Sequence, residues 1–149
     1  MDDPNGRSAA GRVKAGGSFH ALKDLRVLVV DDEPLIRVMV RATLRRFGSV
    51  AEVASSAEDA LYLLEHEPFD LLITDIEMSG MDGVELARTV RDPTSSVLRH
   101  DLPIIVITAL EGDEVRARCR EVGTDEFLSK PIRAKELLQA VRRQAGGRR

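Results

Sequence analysis

The sequence predicts an α/β fold: a doubly wound, five-stranded parallel sheet. Three observations carry that prediction. Five short apolar runs rich in Val, Ile and Leu recur along the chain, a segment with apolar residues at helical spacing follows each, and turn-forming Gly, Pro, Ser or Asp separates them. Such alternation implies parallel strands joined by right-handed helical crossovers that cover both sheet faces. At 149 residues the chain suits one domain and can bury a core without metal or disulfide staples.

The elements follow in order. Residues 1–23 are rich in Gly, Ser, Ala and Arg without periodicity, and read as a flexible leader. Leu25–Val30 is a first strand of the kind buried on both faces. Pro34 suits the first turn of a helix, where its missing N–H costs nothing. In that helix Leu35, Val38, Met39 and Ala42 recur at helical spacing, Arg37, Arg41 and Arg45 line another face, and Gly48 can end it. The second strand is Val50–Ala54. Ser55 with Glu58 is a capping-box signature for a second helix with Ala57, Ala60, Leu61 and Leu64 on one stripe, ended by Pro68. Leu71–Thr74 is the third strand, and a turn at 79–83 leads to a helix through about Arg91. A longish loop reaches Pro103, and Ile104–Thr108 is the most strand-like run. Asp113 can cap a fourth helix with Val115, Cys119 and Val122 facing inward; Glu126–Leu128 is the last strand. The last helix, Ala134–Arg143, turns Leu137, Leu138 and Val141 to the core. The expected divisions are a leader (1–23), a folded body (24–143) and a basic tail (144–149).

Composition narrows the function classes. Hydrophobic residues make up 43% and charged residues 32%, which fits neither a disordered polymer nor a membrane protein. The first twenty residues hold no apolar block, so a secretory signal is not expected, and the lone Cys119 excludes an internal disulfide. A cytoplasmic location is the expectation. The net charge of −3 hides an asymmetry: residues 1–23 carry +2 and 142–149 carry +4, leaving −9 on 24–141. An acidic body repels phosphate backbones, so no direct nucleic-acid binding and no membrane insertion are expected.

In sheets of this type the functional crevice lies outside the carboxyl ends of the strands. The first strand ends in Asp31, Asp32 and Glu33, the third in Asp75 and the fourth in Thr108; Lys130 follows the fifth. If the first and third strands are neighbours, three aspartates converge. Carboxylates that close cannot all stay ionised unless a cation offsets them, and oxygen ligands alone favour a hard ion such as Mg²⁺. With the Lys130 ammonium and the Thr108 hydroxyl, these are the parts needed to accept a phosphoryl group.

The runs VVDDEP (29–34), LLITDIEMSGMDG (71–83), PIIVITA (103–109) and DEFLSKP (125–131) resemble the response-regulator receiver family, over about residues 24–143. That resemblance implies a flavodoxin-like fold with strand order 2-1-3-4-5. It implies that Asp75 is the phosphoacceptor, that Asp31 and Asp32 hold Mg²⁺ with Asp75 and the Glu77 backbone carbonyl, and that Lys130 and Thr108 contact the phosphoryl oxygens. Pro131 would follow a cis peptide, and Phe127 would take the aromatic switch position, moving inward with Thr108. The implied partners are a sensor histidine kinase or histidine phosphotransfer protein, met by the first helix, and a downstream protein target. The signal would leave through the fourth helix, fifth strand and fifth helix. The chain is expected to be a stand-alone signalling phosphoacceptor and not an enzyme in the turnover sense. Alternatives are the receiver part of a longer DNA-binding regulator, a Mg²⁺-dependent phosphatase with an aspartyl nucleophile, and a degenerate receiver working by contacts alone.

Some positions depart from the family pattern. Phe127 stands where Tyr is frequent and Ser79 where Pro is. Glu77 is expected to pair with Lys130 or the metal and alter the acyl-phosphate lifetime. Leu110 offers no polar group to orient a hydrolytic water, which favours a longer-lived phosphorylated state.

Overall fold

The computed structural model describes residues 22–146. The terminal residues of the expected leader and tail, 1–21 and 147–149, lie outside the described residues. Five strands, β1 (Arg26–Val30), β2 (Val50–Ala54), β3 (Leu71–Thr74), β4 (Ile104–Thr108) and β5 (Glu126–Ser129), form one sheet in the order β2-β1-β3-β4-β5. All pairs are parallel, and Val30 sits in register with both Ala54 and Thr74. The helices are α1 (Pro34–Arg46), α2 (Ala57–His66), α3 (Gly83–Arg91), α4 (Asp113–Val122) and α5 (Ala134–Gly146). The fold class, strand order and flavodoxin-like topology expected above are therefore present.

Alternate strand residues feed two separate cores, as the two-residue period of a strand dictates. Leu28, Leu72 and Val106 pack under α2, α3 and α4, with Ala60, Leu86 and Cys119. Val27, Ile73 and Ile105 pack under α1 and α5, with Val40, Leu44 and Leu137. Leu22, within the expected leader, is fully buried in this second core, and its carbonyl accepts from Ser49 Oγ at 2.8 Å. Order thus begins ahead of the first strand. Among the described residues no helix is long and apolar enough to cross a membrane.

Three helix details differ from expectation. On α1 the buried residues are Val40 and Leu44, whereas Leu35 (75% exposed), Val38 (66%) and Met39 (38%) face outward. The helix carries two apolar stripes, and the sheet covers the one containing Val40. The N-cap of α2 is Ser56, whose side chain accepts from the Asp59 N–H; Glu58 is left free to accept from the Met81 N–H at 3.2 Å in the β3–α3 loop. Gly112, not Asp113, caps α4 and does so without a side-chain bond. The full capping box is on α3, where Asp82 and Glu85 satisfy each other's backbone N–H groups.

Candidate functional site

Three candidate side chains sit one residue beyond the ends of β1, β3 and β5, each still held by a ladder hydrogen bond. Asp31 N–H donates to the Ala54 carbonyl at 3.2 Å, Asp75 N–H to that of Val30 at 3.0 Å, and Lys130 N–H to that of Thr108 at 2.9 Å. The sheet therefore fixes their spacing, and the strand order brings Asp31 and Asp75 together. Gly83 lets the loop after β3 fold back against this edge: a Cβ there would lie 1.9 Å from the Asp75 carbonyl oxygen.

Asp31 and Asp75 are buried, at 2% and 5% exposure, and Asp32 is exposed. Asp31 Oδ1 accepts from the Glu33 N–H at 2.9 Å, and Asp75 Oδ1 from the Ile76 N–H at 2.7 Å. Their other oxygens meet the Lys130 ammonium at 3.1 and 3.0 Å. The third partner of Lys130 is Glu33 Oε1, at 2.6 Å. Glu77 is exposed and is not among the partners of Lys130. The expected Glu77–Lys130 pairing is thus replaced by one with Glu33, which stands at the N-cap of α1 and faces the ammonium. Sequence reasoning missed this role, although a signal existed: Pro34 at the first helical position makes Glu33 the N-cap, a place glutamate does not favour.

Thr108 is buried at the adjacent strand end, and its Oγ1 accepts from the Leu110 N–H at 3.2 Å. The Lys130–Pro131 peptide is cis. Phe127 is half-buried, with the Arg116 guanidinium 4.2 Å from the centre of its ring. Arg37 is no mere solvated charge: its Nη1 donates to the Asp31 carbonyl at 2.7 Å, bracing the β1–α1 turn. Met78 and Met81 pack against the core at the foot of the β3–α3 loop, as turn fillers do.

The electrostatics follow from burial. Loss of water pushes the Asp31 carboxyl above its ordinary pKa, and the Asp75 charge adds to this, against the Glu33 N–H and Lys130. Burial by itself would pull the Lys130 ammonium down; its bonds to Glu33, Asp75 and Asp31 outweigh that and raise it. One oxygen each from Asp31, Asp32 and Asp75 lie within 4.8 Å of one another. Such an all-oxygen donor set, short of positive charge, fits a hard cation such as Mg²⁺.

Comparison with known proteins agrees with this geometry. Residues 27–142 match the family described as response regulator receiver domain. A 14.6 kDa protein from Leptolyngbya boryana, itself uncharacterised, is 37% identical over 83% of this chain and 92% of its own length. The heme response regulator HssR of Staphylococcus aureus is 35% identical over 79% of this chain, which spans only 50% of that relative. Among solved structures, the receiver domain of the sensor histidine kinase PA1611 from Pseudomonas aeruginosa, with magnesium in its active-site cleft, aligns with a TM-score of 0.73. It is 25% identical over 83% of this chain and 98% of that one.

Proposed function

The chain belongs to the response regulator receiver domain family, and from that premise we propose that it accepts a phosphoryl group onto Asp75 from a phosphohistidine donor. One observation carries the reading: the Lys130 ammonium lies within 3.1 Å of both buried carboxylates, Asp31 and Asp75, at the carboxyl edge of the sheet. An Asp75 carboxylate oxygen attacks phosphorus, the P–N bond to the donor imidazole breaks, and its electron pair stays on that ring. Lys130 and the Thr108 hydroxyl bind the phosphoryl oxygens. Asp31, Asp32 and Asp75, with the Glu77 carbonyl, are the residues that would hold Mg²⁺, which when bound neutralises charge on the transferring oxygens.

The outward apolar stripe of α1, Leu35, Val38 and Met39, borders the site and supports docking of a histidine kinase or phosphotransfer protein there. At the other end of the relay, movement of Thr108 draws Phe127 inward from beneath Arg116, and the change reaches a downstream protein target through α4, β5 and α5. We read the chain as a stand-alone, cytoplasmic phosphoacceptor, supported by alignment over 92% of the Leptolyngbya relative. The half-length alignment to HssR favours a second reading, a receiver joined to an output domain. An immunoblot of the protein's mass in its native cells separates the two.

Intact-protein mass after incubation with acetyl phosphate and Mg²⁺, beside Asp75→Ala and a metal-free control, tests the chemistry. The expected result is one added phosphoryl group that both controls lose. No gain from acetyl phosphate or from a phosphohistidine donor overturns it, and rapid turnover of p-nitrophenyl phosphate moves the reading to a phosphatase.

A further inference from the structure

We propose that Glu33 competes for Lys130 and thereby slows phosphorylation of Asp75, an inference that rests on the phosphoacceptor reading above. Lys130 has three N–H donors. In this structure the ammonium donates to Glu33 at 2.6 Å and Asp75 at 3.0 Å and has the Asp31 carboxylate at 3.1 Å, so a phosphoryl oxygen must displace one of these partners.

The three carboxylates are not equivalent. Asp75 is the group to be esterified, and Asp31 belongs to the acidic cluster that suits a cation. Their side chains are 7% and 3% exposed and cannot swing away. The Glu33 side chain is 58% exposed and free to leave. It also has no local duty, because it sits at the N-cap of α1 without making a side-chain capping bond. Among the described residues its side-chain hydrogen bond is with Lys130, 97 positions away. Glu33 is therefore the partner that must let go when a phosphoryl group arrives.

Charge acts in the same direction. Asp31, Asp32, Glu33 and Asp75 against Lys130 leave a formal charge of −3 around the acceptor. Phosphoryl donors are anions, so the exposed Glu33 carboxylate also repels them on their approach. Releasing Lys130 and removing that repulsion both favour transfer.

The test compares the wild-type protein with Glu33→Gln and Glu33→Ala at Mg²⁺ concentrations shown to saturate each. The initial phosphorylation rate with acetyl phosphate is read by intact mass. Half-saturation by beryllofluoride, a phosphoryl mimic, is read by ¹⁹F NMR, which reports occupancy of the site without turnover. Both variants are expected to label roughly two- to fivefold faster, the scale of one partly exposed ion pair, and to bind beryllofluoride tighter by a similar factor. Equal or slower labelling, or unchanged beryllofluoride binding, overturns the role of Glu33. If the wild-type protein itself gains no phosphoryl group at Asp75, the phosphoacceptor reading falls instead.

Discussion

The two ends of the sheet hold ion clusters with similar ingredients and different fates. At the amino end the Arg26 guanidinium pairs with Glu52 at 2.7 Å and Glu67 at 2.9 Å, and donates to the Pro68 carbonyl. It also lies 4.9 Å from the centre of the Phe69 ring. At the carboxyl end one ammonium meets Glu33, Asp31 and Asp75. In both clusters acids outnumber the base. The difference is water: the side chains of Glu52 and Glu67 are 36% and 40% exposed, whereas those of Asp31 and Asp75 are 3% and 7%. Solvent screens the surplus charge at the amino end, which is a strap. At the carboxyl end burial denies Asp31 and Asp75 that screening, an arrangement that suits a bound cation and the proposed phosphoryl transfer. Burial, more than residue type, separates a solvated structural cluster from one suited to the proposed chemistry.

Substitutions can break that contrast. The largest effect is expected from Gly83→Ala, because the new methyl would collide with the Asp75 backbone; urea unfolding should show a loss of about 3 kcal/mol or more. Lys130→Met should cost about 3 kcal/mol in the presence of a chelator, since it strands two buried carboxylates, and Mg²⁺ should recover part of the loss. A Lys130→Met protein as stable as wild type without metal would show that the carboxyl end is not held by this charge.

At the amino end Arg26→Ala should cost only about 1 kcal/mol, with no change in Mg²⁺ affinity. A larger loss would mean that the strap is less screened than its exposure indicates. The smallest effect concerns acid. The Arg143 guanidinium, against some burial and with help from Gln144, holds the Glu126 carboxyl below its ordinary value of 4.5. A depressed folded-state pKa contributes stability that is fully present above the unfolded value and is lost as pH falls through the folded one. Glu126→Gln should therefore be slightly less stable than wild type at pH 7, with the gap closing below about pH 4. A gap that persists in acid would assign the effect to packing.

Much of this was legible along the chain. Short β-branched runs and intervening helices fixed the α/β class, because strand and helix periods are local properties. The rule that crevices open at the carboxyl ends of strands picks out Asp31, Asp75, Thr108 and Lys130 from the sequence. Periodicity failed where it was degenerate. Helix α1 carries two apolar stripes, and only the position of the sheet decided that Val40 and Leu44 go inward while Leu35 and Val38 stay out. The α2 cap moved from Ser55 to Ser56 for a related reason: either serine could cap, and packing of Ala57 and Ala60 set the helix start.

By itself the sequence determined which residue types stand at each strand end, and with them the chemistry available. Tertiary structure alone decided that Glu33 reaches Lys130 across 97 residues, that Arg37 braces the Asp31 carbonyl, and that Leu22 joins the core. Local pattern sets a residue's element and face through backbone geometry, whereas ion pairs and burial depend on which strands become neighbours. That neighbourhood exists only once the sheet has closed in the order β2-β1-β3-β4-β5.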